Sequence, residues 1–225
     1  MGELLGVYVF GSVARGDRDP RSDLDLLAVV ADGKGKVDEA NVYAHVPSGL
    51  SDLEASISWY GRRRLGAMFE NGELFGWHLH QEAMPLFEAE PVIKELGTPA
   101  PYRDAVSDVA SFEKVLSGIP QQLDAAPENA VYELGLVYVC LRNICMAASS
   151  KLCDRPDFSR YSPFRLNGFP AVPMTQDEYD LAMNCRMAGQ RGMLPPSPVS
   201  RSLVAAIHRR LAPWIAELRH RLERD

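Results

Sequence analysis

Hydrophobic and polar positions follow two regimes along the chain. Up to Glu88 they come in short blocks, and beyond Asp104 they recur with a helical period. Leu4 to Phe10 (LLGVYVF) and Leu24 to Val30 (LDLLAVV) are apolar runs rich in β-formers and predict two strands. The segment between them, GSVARGDRDPRSD, is dense in Gly, Asp, Pro and Ser and predicts a polar turn. Leu53 to Tyr60 alternates, with Leu53, Ala55 and Ile57 on one face and Glu54, Ser56 and Ser58 on the other. Period two predicts a strand with one polar face. Arg63 to Glu70 predicts a helix that sets Leu65, Met68 and Phe69 on one side and stops at Asn71-Gly72. A second helical stretch follows at Leu74 to Glu82, then a short closing strand at Met84 to Glu88. Between Ala31 and Gly49 the chain is polar, with a helical turn or two around Val37 to Tyr43.

Pro91 to Tyr102 holds three prolines and a glycine and is the best linker candidate. Helical patterns follow at Asp104 to Leu116, Glu128 to Leu152, Thr175 to Ala188 and Ser200 to Arg224. Thr175-Gln-Asp-Glu178 is a capping-box pattern. The last helix carries Leu203, Ile207, Leu211, Ile215, Leu218 and Leu222 as its stripe, and Pro213 should bend or split it. The expected architecture is α+β. Residues 1–92 form a small mixed sheet with helices on one face, and residues 103–225 an all-α bundle.

Charge sharpens this division. The 225 residues carry a net charge of −6. Residues 1–92 alone hold a net −7 and the remainder a net +1. An acidic chain argues against a main task of gripping nucleic acid, which needs clustered Lys and Arg. Hydrophobic content of 46% and charged content of 24% are ordinary for a globular protein and argue against wholesale disorder. Cys140, Cys145, Cys153 and Cys185 form no CxxC pair and have no His at zinc-ligand spacing, so a reducing cytoplasm is expected. No signal-peptide pattern opens the chain. The longest apolar stretch, near Val131 to Leu141, is interrupted by Glu133 and reads as too short to span a bilayer, so no membrane partner is expected.

The chemistry concentrates in the turn and the second strand. Asp23 and Asp25 are two apart on an extended segment and point to one face. Two carboxylates side by side repel, and a divalent cation resolves the conflict; hard carboxylate oxygens suit Mg²⁺ together with substrate phosphates. Gly11 follows the first strand directly and lets the backbone approach a ligand, while the Ser12 hydroxyl and nearby N–H groups can bond phosphate oxygens. Together these features fit a nucleoside triphosphate, Mg²⁺ and in-line displacement at phosphorus.

At this point the chain resembles the nucleotidyltransferase superfamily that contains DNA polymerase β. The likeness is strongest to the minimal and kanamycin-type branches. The residues that carry it are Gly11-Ser12, Ala14-Arg15-Gly16, Ser22-Asp23-Leu24-Asp25 and the apolar Leu26-Leu27. The resemblance implies that Asp23 and Asp25 hold the metal, and that Gly11, Ser12, Arg15 and Ser22 serve the nucleotide. It also implies a third carboxylate on the next strand, with Glu54 the best match and Asp52 the competitor. Family members usually begin with a helix before the first strand; here about three residues precede it, so the sheet's other face should be covered differently.

The helical part resembles, less specifically, the substrate-binding bundle of these enzymes, which is related to HEPN domains. Leu141-Arg-Asn143 and Arg186 to Gly192 carry that likeness. Arg142 has no following His at the spacing of HEPN ribonucleases, so ribonuclease activity is not expected. Glu133 is a buried-charge candidate in an apolar helix. By analogy with the antibiotic enzymes it is a candidate base for the acceptor hydroxyl, and the alternative is a structural ion pair or a snorkelling surface residue.

The resemblance thus implies an enzyme moving a nucleoside monophosphate from NTP, ATP foremost, to an acceptor hydroxyl. The acceptor would be a small molecule such as an aminoglycoside-like antibiotic, and antibiotic resistance the corresponding role. A protein- or RNA-modifying enzyme of a toxin–antitoxin pair, or a non-catalytic nucleotide-binding module, are the alternatives. A homodimer is a further expectation. Arg18, Arg21 and Arg62-Arg63-Arg64 read as solvated charge, His78 and His80 as unconnected with metal, and His208 and His220 as solvent-facing.

Overall fold

The computed structural model describes residues 3–19, 22–192 and 198–224. It divides into two compact units, Met1–Arg103 and Asp104–Asp225.

The first unit is built on β1 (Leu4–Phe10), β2 (Leu24–Val30), β3 (Ala55–Gly61) and β4 (Met84–Glu88), in the spatial order β3-β2-β1-β4. β1 is antiparallel to β2 and to β4, and β2 is parallel to β3. β4 is an edge strand, which is where the missing N–H of Pro85 is tolerated. Both faces of the sheet are covered. Phe10, Leu27 and Val29 pack against α3 (Arg62–Glu70) and α4 (Leu74–Glu82) through Leu65, Met68, Phe69 and Leu79. On the opposite face Val7, Val9, Leu24, Leu26 and Ala28 meet Val42 of the short helix α2 (Glu39–Tyr43), with Val46, Leu50 and Leu53 beside it. The segment between β2 and β3 therefore supplies the cover of this face.

Two expectations change here. The polar turn after β1 is partly a helix, α1 (Gly11–Arg15). The Pro-rich stretch after Glu90 does not hang free. It begins as a short helix, α5 (Val92–Leu96), whose Val92 is buried in the sheet core. Its continuation is pinned by the Ala100 N–H donating to Phe69 O at 2.8 Å and the Trp77 indole donating to Ala100 O at 2.9 Å. Prolines mark where the chain leaves regular structure, not where it leaves the domain.

The second unit is helical: α6 (Ala105–Ser117), α7 (Ile119–Ala125), α8 (Ala130–Leu152), α9 (Gln176–Arg191) and α10 (Arg201–Arg224). α8 packs against α6, α9 and α10. The stretch Pro127–Leu152 is long and apolar enough to cross a membrane by length and composition, contrary to the sequence reading. Its Leu134, Val137, Leu141 and Ile144 are instead wholly buried among the neighbouring helices. Thr175 closes the capping box as the pattern requires: its hydroxyl accepts from the Glu178 N–H at 3.2 Å, and its own N–H donates to Glu178 Oε2 at 2.9 Å.

α10 runs through Pro213 without a break. Pro213 lies on the exposed side, where water can satisfy the carbonyl that loses its partner. The buried stripe includes Val204 and Trp214, and Leu203 is only half-buried. His208 is half-buried too, not solvent-facing, and desolvation lowers its pKa. His220 remains exposed. The four cysteines are free thiols.

Candidate active site

β1 delivers the chain to Gly11, where φ turns to +72°. Only glycine adopts this conformation without strain. Space demands glycine as well, because a Cβ there would overlap Asp25 Oδ2 and lie 3.2 Å from Asp25 Cγ. Phe10 and Asp25 are cross-strand partners at the end of the β1–β2 ladder, so the turn lies directly over the Asp25 carboxylate.

The parallel ladder brings in the next residues. Asp25 is in register with Ser56 and Leu24 with Ala55, and the Leu24 N–H donates to Glu54 O at 2.9 Å. Continuing that register by one residue sets Glu54 beside Asp23. Strand alternation then puts Asp23, Asp25, Glu54 and Ser56 on one face. The two aspartates are half-buried and Glu54 is exposed. Asp52 lies in the exposed turn before β3, outside the ladder. Hard carboxylate oxygens side by side fit a divalent cation such as Mg²⁺, which takes one or two carboxylates and completes its shell with phosphates and water. Among the described residues no three His, Cys, Asp or Glu side chains already gather as a metal site.

The remaining turn residues have defined partners. Ser22 is buried; its hydroxyl accepts from the Asp19 N–H at 2.9 Å and donates to Asp19 Oδ1 at 3.2 Å, closing the turn before β2. Arg21 lies outside the described residues. Ser12 sits half-buried in the first turn of α1. Arg15 donates through Nη1 to Glu82 Oε2 at 2.7 Å and through Nε to Asp17 Oδ2 at 3.2 Å.

Glu82 and His78 are functional-site neighbours that sequence reasoning missed. Glu82 is the last residue of α4, and its side chain is 8% exposed. Its Oε2 accepts from the Gly11 N–H at 3.1 Å and lies 2.9 Å from His78 Nε2, in addition to its bond from Arg15. His78 in turn stands edge-on to Phe10 at 5.2 Å between ring centres. Two signals were available in the sequence. His78 and Glu82 are spaced i,i+4 on one helix face. An acid in the last turn also opposes the helix dipole unless cationic groups meet it.

The three consecutive arginines act locally. Arg62 pairs with Glu90 and with Glu95, the latter at 2.7 Å. Arg64 pairs with both oxygens of Glu73 at 2.6 and 2.7 Å, and the Arg63 N–H donates to Asp32.

In the second unit Glu133 is 3% exposed, and its Oε2 has no hydrogen-bond partner among the described residues. Burial raises its pKa. Arg142, nine positions further along α8, donates through Nη2 to Phe158 O at 3.2 Å, and Asn143 caps Val139 O on its own helix at 2.7 Å.

Residues 2–80 match the family model described as nucleotidyltransferase domain. The chain carries a nucleotidyltransferase domain. The matched span holds β1, the Gly11 turn, Asp23, Asp25, Glu54 and His78, and Glu82 lies two residues beyond it. The nucleotidyltransferase assignment is thus one of residues 2–80. Two solved structures are similar to this chain along most of its length. One is a nucleotidyltransferase-like protein from Exiguobacterium sibiricum 255-15, at 15% identity and a TM-score of 0.40, covering 96% of this chain and 69% of that one. The other is the spectinomycin adenyltransferase AAD(9) from Enterococcus faecialis with ATP and spectinomycin, at 12% identity and a TM-score of 0.40, covering 98% and 92%. No curated protein matches the chain.

Proposed function

We propose that the protein transfers a nucleoside monophosphate from NTP, with ATP the first donor to test, to a hydroxyl of a small aminoglycoside-like acceptor. The observation that carries this reading is the Gly11 turn held over the Asp25 carboxylate, with Asp23 and Glu54 on the same sheet face. Asp23, Asp25 and Glu54 would hold Mg²⁺, and Ser12 the triphosphate tail. Gly11 contributes close approach of the backbone, since its N–H goes to Glu82. Arg15 and Ser22 serve the turn that presents these groups. Bound there, the cation would neutralise the triphosphate and stabilise charge on the attacking and leaving oxygens.

The acceptor oxygen forms a bond to the α-phosphorus, and the bond from that phosphorus to the β-bridging oxygen breaks, releasing pyrophosphate. The acceptor proton goes to a carboxylate. Glu133 is our candidate for it, because its carboxylate is buried and its Oε2 has no hydrogen-bond partner among the described residues. The four free thiols, three of them buried, suit a reducing compartment, and we place the enzyme in the cytoplasm.

The test incubates the protein with Mg²⁺ and each α-labelled NTP, with an antibiotic panel and with cell lysate, beside Asp25→Ala. Label in small molecules that disappears with Asp25→Ala supports the proposal. Asp25-dependent label on protein or RNA would replace the acceptor with a macromolecule. No Asp25-dependent label in any fraction would leave a nucleotide-binding module.

A further inference from the structure

We infer that Glu82 is a positioning residue of the nucleotidyl-transfer site, holding the Gly11–Arg15 turn at the distance from Asp25 that the reaction needs. The inference rests on the transfer reading above.

Glu82 reaches the turn from the far end of the first unit's sequence, and one of its oxygens binds both ends of α1. Oε2 accepts from the Gly11 N–H at the start of α1 and from the Arg15 guanidinium at its end, at 3.1 and 2.7 Å. A five-residue helix has almost no stability of its own. Its geometry must come from tertiary contacts, and Glu82 supplies two of them from a buried side chain. The anchor is itself anchored. His78, one helical turn earlier on α4, lies 2.9 Å from the same oxygen and packs edge-on against Phe10, the last residue of β1. The remaining side of the turn is limited by contact with Asp25. The turn is therefore clamped between Glu82 and Asp25, and Ser12 rides on it. Release of the Glu82 side would let Ser12 drift from the carboxylate pair, and misplacement by an ångström is enough to cost a transfer enzyme much of its rate.

Glu82 touches no reacting atom in this scheme, so its loss should act through the turn. The experiment compares wild type, Glu82→Gln, Glu82→Ala and Arg15→Ala by amide hydrogen exchange without ligand, and by Mg²⁺–ATP kinetics with whichever acceptor the transfer assay yields. In Glu82→Ala the Gly11 amide should exchange faster by about tenfold or more, the scale of a lost hydrogen bond to a charged group. Amides of α8 and α9 should not change. kcat should fall by about tenfold or more with a smaller change in KM, because the transition state needs the alignment more than binding does. Glu82→Gln, which keeps one acceptor oxygen for Gly11, should recover part of both effects. Arg15→Ala should leave Gly11 protected.

Unchanged exchange at Gly11 in Glu82→Ala overturns the inference, as does faster exchange with unchanged kcat. Should Glu82→Ala fail to fold, full protection of Gly11 and full kcat in both Glu82→Gln and Arg15→Ala would overturn it. A wild type that neither binds nor turns over Mg²⁺–ATP sinks the transfer reading instead; the positional claim is then decided by exchange alone.

Discussion

The backbone of Gly11 lies so close to the carboxylate of Asp25 that a Cβ on residue 11 would overlap Asp25 Oδ2. Two costs are therefore combined at this position, a left-handed φ of +72° and a steric one. Gly11→Ala should lose roughly 1–2 kcal/mol for the conformation alone, and more for the overlap. In an Asp25→Ala background only the first cost should remain. Urea unfolding of the four proteins in this cycle measures the difference. An equal cost of Gly11→Ala in both backgrounds would show that the carboxylate does not crowd the turn.

Gly135 in α8 and Gly189 in α9 make a matched pair. A Cβ at 135 would sit 2.9 Å from the backbone nitrogen of Arg186, whereas at 189 nothing lies within 4 Å. Backbone cannot move aside as a flexible side chain can. Gly135→Ala should destabilise by roughly 1–3 kcal/mol, as overpacking does. Gly189→Ala should stabilise by roughly 0.5–1 kcal/mol through reduced chain entropy in the unfolded state. Opposite shifts in the urea midpoint are expected, and shifts of the same sign would refute the packing argument.

Glu133 gives a pH dependence of known sign. Burial raises its folded pKa, so the folded protein holds the proton more tightly than the unfolded one. The stability this contributes is complete below the unfolded pKa and is lost as pH rises through the folded pKa. Wild type should therefore lose Tm relative to Glu133→Gln as pH rises above the ordinary glutamate pKa of about 4.3. If Glu133 also takes the acceptor proton, Glu133→Gln should cut kcat by about a hundredfold or more, the usual scale of a general base. A constant Tm difference over that rise in pH would remove the first claim, and unchanged kcat the second.

Glu73 behaves in the opposite sense. Its hydrogen bonds from Arg64 lower its pKa, so the pair's contribution is present above the unfolded pKa and lost as pH falls through the folded value. The two side chains are 33% and 49% exposed, which keeps the effect small. A double-mutant cycle of Glu73→Gln with Arg64→Met should give a coupling below about 1 kcal/mol, shrinking in high salt. A coupling several times larger, or one insensitive to salt, would contradict the surface-pair description.

The strands at Leu4, Leu24 and Met84 and the helices at Arg62 and Leu74 were legible because each is written in a local period. The shared face of Asp23 and Asp25 was legible for the same reason, since separation by two residues in a strand decides it without reference to the rest of the fold. The capping box at Thr175 is likewise local.

Where two distant segments must meet, local pattern carries no information. Glu82 reaches Gly11 across 71 positions of sequence, and only the pairing of β1 with β4 and the packing of α4 on the sheet bring it there. Glu54 stands beside Asp23 because β3 runs parallel to β2 in one register, and a slip of one residue would turn its side chain to the other face. The Pro-rich segment after Glu90 belongs to the first unit because Val92 finds a pocket in the sheet core, which no proline count foretells. Periodicity thus determined the elements and the carboxylate pair. Tertiary packing decided which residues brace that pair, because bracing is a contact between segments and each segment's own sequence is silent about its partner.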